Sequence, residues 1–278
     1  MNDKMEHDPA VEEAWRSYLT TGKTPDSYPL PWYESPAMRA VARRLPADPR
    51  CQICHFPFSG LGGKIVRSLF HVQPSKMNPH LCNICERFIE EHPGGAELEV
   101  SLLFADIRGS TPLAASMSAR EFSRLIDRFY QVTTDIVYTH GGMVEKLIGD
   151  EVFAFFVPAF TDDHNHARAA FNVGKAILEA TGHGRGEAPW APLGIGIHTG
   201  VAYVGAVGQP GKNIEITVLG DNVNIASRLG GQAQAGQIVI SDRTRELAGL
   251  DKGSLEFRRL QLKGKEEAVD AWIYGATG

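Results

Sequence analysis

Hydrophobic positions along this 278-residue chain change period several times, and each change marks an element. Residues 100–105 are an almost unbroken apolar run, the pattern of a strand buried on both faces. From Ser118 onward the apolar positions are Phe122, Leu125, Ile126, Phe129, Val132, Ile136 and Val137. That is helical spacing over several turns, and Ser118 with Glu121 forms a capping box at its start. Residues 143–147 and 152–157 read as two strands flanking a tight hairpin turn at 148–151. A second amphipathic helix is expected over 162–181, through Ala167, Ala170, Phe171, Val173, Ile177 and Leu178. Strands follow at 193–200, 201–207 and 214–219, with a turn at 208–213, then a helix at 221–229. Strands at 238–240, 255–262 and 269–274 finish the sheet. Strands and helices interleave through short connections, so the class is α/β, an α+β sandwich with a mixed sheet and flanking helices.

The first fifty residues lack this regularity. Residues 1–50 are polar and punctuated by prolines, with two short helical candidates. One places Val11, Ala14, Trp15, Tyr18 and Leu19 near a common face. The other, 37–45, is introduced by Ser35 and Pro36 in the order favoured at helix starts, and its Arg39, Arg43 and Arg44 read as a solvated face. All four cysteines then fall in one window as two Cys-x-x-Cys pairs, Cys51 with Cys54 and Cys82 with Cys85, separated by a loop of glycines and aromatics. The second pair runs into a helical pattern, 86–91. A cysteine knuckle followed by a pair at a helix start resembles a treble-clef finger, and four thiolates complete a tetrahedral shell. Zinc is the expected ion; an iron–sulfur cluster takes the same four ligands and is the alternative. Cys51 to His55 also matches the c-type haem attachment pattern, which would leave the second pair unexplained. His92-Pro93-Gly94-Gly95 ends this module. The expected organisation is therefore 1–50, a polar helical segment; 51–95, a Cys₄ metal-binding module; and 96–278, the large domain.

Composition narrows the function classes. Hydrophobic residues make up 43% of the chain and the formal charge is −5. There is no bulk basic surface for nucleic acid or an anionic membrane. No apolar run approaches the ~20 residues needed to cross a bilayer, and the N-terminus carries no secretory pattern. A soluble cytoplasmic protein is expected.

Two groupings carry chemistry. Asp106 ends the first strand and Asp150 sits in the hairpin turn, so if those strands share a sheet the two carboxylates meet at one edge. Paired carboxylates of this kind hold a divalent ion when phosphate supplies the other oxygens. The residues after Asp106, Ile107 to Thr111, offer successive backbone amides at a turn into a helix, and Gly109 allows close approach by a phosphate. Asn224 and Arg228 are spaced i, i+4 on a predicted helix, and a guanidinium beside an amide suits a phosphorus centre gaining charge.

FADIRGST (104–111), KLIGDEVFAFF (146–156), GIHTG (196–200), TVLGDNVNIASRL (217–229) and LKGK (262–265) together resemble the class III nucleotidyl cyclases, over about 97–274. The resemblance implies a ferredoxin-like catalytic domain and two Mg²⁺ or Mn²⁺ ions per site, held by Asp106 and Asp150 with the Ile107 carbonyl. It implies that Gly109, Ser110 and Thr111 line the phosphates. Arg228 would stabilise the pentavalent phosphorus and Asn224 would orient the ribose. Lys263 would reach the triphosphate, with Lys265 close enough to compete for that role, and Lys212 would be a further basic group. Lys146 and Thr217 match the base-recognition pair of adenylyl cyclases, where guanylyl cyclases of the family typically carry Glu and Cys. The implied reaction is conversion of ATP to 3′,5′-cyclic AMP and pyrophosphate in signalling, in a homodimer with two shared sites. A guanylyl cyclase is the alternative within the enzyme class. A catalytically weak nucleotide-binding fold with a partner-docking zinc module is the alternative outside it.

Overall fold

In a computed structural model, residues 8–26, 36–44, 49–51, 53–75, 81–209, 213–264 and 268–275 are described. The chain divides into two compact units: one made of Met1–Leu98, Pro158–Phe160 and Tyr203–Leu219, the other of Glu99–Val157, Thr161–Ala202 and Gly220–Gly278. Among the described residues no helix is long and apolar enough to cross a membrane.

The second unit is built on a mixed sheet. Its strands are β1 (Gly95–Ile107, entering from the first unit), β2 (Met143–Ile148), β3 (Glu151–Phe156), β4 (Leu193–Gln209, continuing into the first unit), β6 (Gln237–Ser241), β7 (Glu256–Leu260) and β8 (Val269–Gly275). They lie in the order β2-β3-β1-β4-β6-β8-β7, and β5 (Asn213–Leu219) pairs with β4 outside that path. β4 and β6 are parallel, while β1–β3, β2–β3, β6–β8 and β7–β8 are antiparallel.

The continuous apolar run of β1 is explained by its two covered faces. Leu103, Ala105 and Ile107 join Phe129 and Val137 of α6 (Ala119–Thr139) and Ile177 of α7 (His166–Ala180) in one core. Leu102 and Phe104 point the other way, and Phe104 stacks on its register partner Phe153 at 4.3 Å between ring centroids. On that side, near Phe104, α8 (Asp221–Gln232) adds Leu229 to a core with Val239, Leu262, Ala271 and Ile273. The capping box at Ser118 and Glu121 is present, with the Glu121 amide donating to Ser118 Oγ at 3.3 Å.

Three expectations change. The strands expected at 193–200 and 201–207 are one strand, β4; its glycines mark close packing and not a break. At Gly196 a Cβ would fall 2.0 Å from the Gly230 amide nitrogen, so this position holds α8 against the sheet. The helix expected from 162 begins at His166, capped by the Asn165 side chain, after a single 3₁₀ turn, Asp162–His164. A short helix, α9 (Asp242–Ala248), was missed.

In the first unit, α1 (Pro9–Thr21) buries Ala14, Trp15, Tyr18 and Leu19, as its spacing predicts. α2 (Pro36–Arg44) follows; Ser35 and the side chains of Arg39 and Arg43 lie outside the described residues, and Arg44 is exposed. The stretch between the cysteine pairs contains α3 (Gly60–Phe70), where a loop is expected from its glycines. Its buried Gly62, Gly63 and Val66 form one face, and Gly63 lies so close to the Phe58 backbone that a Cβ there would be 2.5 Å away. Glycine lowers helix propensity but here permits packing. α4 (Asn83–Glu91) follows, beginning at the second cysteine pair.

Candidate functional site

The acidic grouping assembles at the ends of β1 and β3 within the second unit. Register pairs Asp106 with Glu151, and the Ile107 amide donates to the Asp150 carbonyl at 3.2 Å, which fixes the hairpin turn beside the end of β1. Tyr130, from α6, donates its hydroxyl to the Gly149 carbonyl at 2.7 Å and holds the same turn from the helix side. Asp150 lies near enough to Asp106 to push its carboxyl up.

Charge crowding shows in the protonation behaviour. Burial pushes the Asp106 carboxyl above its ordinary range; the Arg108 guanidinium opposes this and Asp150 reinforces it. Burial also raises Glu151, with Asp106 and Asp150 adding to the effect. Three carboxyl groups thus converge where, among the described residues, Arg108, ion-paired to Asp106, supplies opposite charge. The other arm of that guanidinium reaches the Ala233 carbonyl just past α8, at 3.5 Å. An oxygen-rich cluster with a charge deficit of this kind fits a hard divalent cation. Immediately beyond, Gly109 takes the left-handed conformation (φ 68°) that turns the chain into α5 (Ser110–Ser116), so Ser110 and Thr111 open that helix.

Asn224 and Arg228 lie on α8, one turn from each other. The Arg228 guanidinium lies beside the turn at Lys263 and Gly264, since a Cβ on Gly264 would be 3.4 Å from Arg228 Nη2. The structure therefore places Arg228 beside the turn that carries exposed Lys263. Asn222, two residues before Asn224, is held by His198 at 2.8 Å and by the Val201 carbonyl at 2.7 Å, which anchors the start of α8 on β4. Lys146 is exposed on β2, next to a bulge between Val144 and Lys146, with its ammonium 3.4 Å from the Glu145 carboxylate. Lys212 and Lys265 lie outside the described residues.

The remaining predicted residues belong to the first unit. Thr217 is buried on β5, opposite Gly205 of β4. Cys51, Cys54, Cys82 and Cys85 are all buried, and their sulfur atoms lie within 4.8 Å of one another. Cys54 and Cys82 sulfurs are 3.7 Å apart. Zn–S bonds of ~2.3 Å imply tetrahedral edges of about 3.8 Å, so these thiols fit a single ion. Backbone amides already point at the sulfurs: the Cys82 amide donates to Cys51 Sγ and the Cys85 amide to Cys82 Sγ, both at 3.3 Å. Burial works against ionisation of Cys51, yet hydrogen bonds from Cys54, Cys82 and Cys85 hold its thiol well below the usual range. Cys54 is pushed up by burial and by Cys51, and Cys82 and Cys85 chiefly by their hydrogen bonds to Cys51.

Arg108, Glu151 and Tyr130 complete the acidic cluster and were not singled out from the sequence. Arg108 and Glu151 adjoin the two aspartates inside the recognised motifs, and that adjacency was the available signal. Tyr130 gives none, because its partner is a backbone carbonyl.

Residues 95–275 match the model of the adenylate and guanylate cyclase catalytic domain. An adenylate cyclase of Anabaena cylindrica is 30% identical over 185 residues, 62% of this chain and 36% of that protein. An adenylate cyclase of Mycobacterium tuberculosis is 33% identical over 173 residues, 60% of this chain and 37% of that protein. The chain thus spans little more than a third of the length of these curated relatives. Among solved structures, the adenylyl cyclase CyaB from P. aeruginosa superposes with a TM-score of 0.56 at 28% identity, covering 64% of this chain and 94% of that one. The guanylyl cyclase Cya2 does so with a TM-score of 0.55 at 29% identity, covering 65% and 93%.

Proposed function

The chain belongs to the adenylate and guanylate cyclase catalytic domain family, and on that premise we propose that it is an adenylyl cyclase, forming 3′,5′-cyclic AMP and pyrophosphate from ATP in a cytoplasmic signalling role. The observation that carries the reading is the convergence of Asp106 and Asp150 at the end of β1. The choice of ATP is supported by Lys146 and Thr217. A lysine donates to a ring nitrogen of adenine, whereas guanine presents an N–H at that edge, and a threonine hydroxyl can accept from the adenine amino group.

Asp106, Asp150 and the Ile107 carbonyl would hold Mg²⁺ or Mn²⁺, two per site. Bound there, the ions supply neutralisation of the triphosphate and a lowered pKa for the ribose 3′-hydroxyl. The 3′-oxygen then forms a bond to the α-phosphorus as the bond to the leaving pyrophosphate breaks. Arg228 donates to the α-phosphate oxygens as charge builds there, and Asn224 orients the ribose. Gly109, Ser110 and Thr111 line the phosphates, and Lys263, with Lys212, balances the departing pyrophosphate. Arg108 serves as the counter-charge of Asp106 before a cation binds. The four thiols would hold Zn²⁺.

The resemblance to the class III cyclases supports a homodimer in which each site draws its carboxylates from one protomer and its arginine from the other. Incubation with ATP or GTP and Mn²⁺, with cyclic product measured, tests the assignment; cyclic GMP from GTP alone would replace it with a guanylyl cyclase. For the shared site, Asp106→Ala and Arg228→Ala proteins are each expected to be inactive and to regain activity on mixing. Heterodimers that form without regaining activity would refute it.

A further inference from the structure

Within the first unit, a continuous line of packed groups runs from the thiols to Thr217. The helix α4 begins on the thiols themselves, with Cys82 as its N-cap and Cys85 in its first turn. Along α4, Phe88 packs on Trp15 and Tyr18 of α1, with ring centroids 5.8 and 6.1 Å away, and on His92 at 5.0 Å. The Trp15 indole N–H donates to the His92 carbonyl at 3.1 Å, so the end of α4 is held where the chain leaves it. Two residues later the backbone reaches Gly94 and Gly95.

There the chain is pressed directly against β4. The Ala206 amide donates to the Gly94 carbonyl at 2.8 Å. A Cβ on Gly95 would lie 2.4 Å from the Val204 carbonyl oxygen, and one on Gly205 would lie 2.5 Å from the Gly94 oxygen and the Gly95 Cα. With no side chain between them, neither backbone can shift without moving the other. Gly205 is in turn the register partner of Thr217 across the β4–β5 ribbon. β5 pairs with β4 outside the main strand order, and a two-stranded ribbon is marginal without backing. Its position therefore depends on what grips β4.

We propose that the four-cysteine centre, closed around one tetrahedral thiophilic ion, fixes the β4–β5 ribbon through α4 and the Gly95–Gly205 crossing, and so sets the position of Thr217. The centre is then a determinant of nucleotide choice, acting through a positioning chain and not by touching substrate. An occupied centre ties four buried sulfurs and the first turn of α4 into one rigid knot. Without the ion, the start of α4 is left to the hydrogen bonds of Asn83 with His71 and Gln73 and of the Cys85 amide with Cys82 Sγ, a looser hold, and the slack passes to Gly94 and Gly95. The consequence for base selection rests on the adenylyl cyclase reading; the mechanical coupling does not.

Hydrogen exchange of the full-length protein, before and after the ion is released with a thiol-reactive mercurial and a chelator and counted, separates the two. Release is expected to raise exchange in the β5 and Tyr203–Gln209 amides at least tenfold while β2 and β3 stay protected. Unchanged exchange in β5 would overturn the coupling. An equal rise in β2 and β3 would also overturn it, since the ion would then hold the whole chain together. Gly205→Ala tests the crossing with the thiols intact: one ion per chain should remain bound, β5 exchange should rise, and the preference for ATP over GTP should fall about fivefold, the worth of one hydrogen bond. A Gly205→Ala protein with unchanged β5 exchange overturns the crossing as the route. Raised exchange with an unchanged base preference leaves the coupling standing and removes Thr217 from base selection.

Discussion

The acidic cluster and the thiol cluster are both sets of groups suited to a cation, yet they are built in opposite ways. Asp106 keeps 30% of its side chain exposed, where two strands end, and has Arg108 for a counter-ion. Cys51, Cys54 and Cys82 are fully buried, and Cys85 nearly so. Half-open oxygen ligands suit an ion that arrives and leaves with each substrate, because it can shed and regain water. Buried sulfur ligands suit an ion that stays, because release would strand charge away from solvent. Substitution should therefore cost the first cluster activity and the second cluster stability.

The largest effect is expected at Asp106. Asp106→Asn should lower cyclic nucleotide formation by at least about a thousandfold, since charge stabilisation worth several kcal/mol is lost. Its melting temperature should hold or rise, because an ionised Asp106 is already disfavoured by burial. A melting temperature that falls with activity would break the contrast. Cys85→Ser is the converse case: bound metal should drop below one ion per chain and the melting temperature should fall by roughly 10 °C.

Acid titration probes a group that belongs to neither cluster. His166 is buried, with its Nδ1 2.9 Å from Ser101 Oγ, and burial lowers its pKa to about 4. The unfolded chain takes up that proton near pH 6.5 and the native state does not, so stability should be full above about 6.5. It should fall as the pH drops toward 4, by up to about 3 kcal/mol. Denaturant melts of the metal-depleted protein should show this slope, and His166→Gln should flatten it. The smallest effect is expected at Lys146, where Lys146→Glu should reduce the preference for ATP over GTP about tenfold with the metal content of the thiols unchanged. Altered metal content would mean the two clusters are not separable.

Local signals with a single physical cause were legible in the sequence. The capping box at Ser118 and Glu121, the helical stripe of α6 and the unbroken apolar run of β1 each follow from one burial pattern, and the structure has them all. The cysteine spacing likewise brought four sulfurs together. What could not be read depended on the other side of a contact. Glycines in α3 and β4 resemble breaks until Phe58 and Gly230 are seen lying against them. Arg108 resembles any charged turn residue until Asp106 and the Ala233 carbonyl are found at its two ends.

The first unit is discontinuous in the chain, and this has a consequence for synthesis. Its cysteine-bearing portion is complete by Leu98, but its last segment ends at Leu219, about 120 residues later. At roughly 5–20 residues per second, a ribosome takes on the order of 6–24 s to cover that distance. During that interval Trp15, Tyr18 and Phe88 have emerged without Phe160 or the β4–β5 ribbon, leaving apolar surface for a chaperone to cover. All four cysteines precede Gly95, the start of β1, so they are in place while most of the second unit's sheet has yet to be translated.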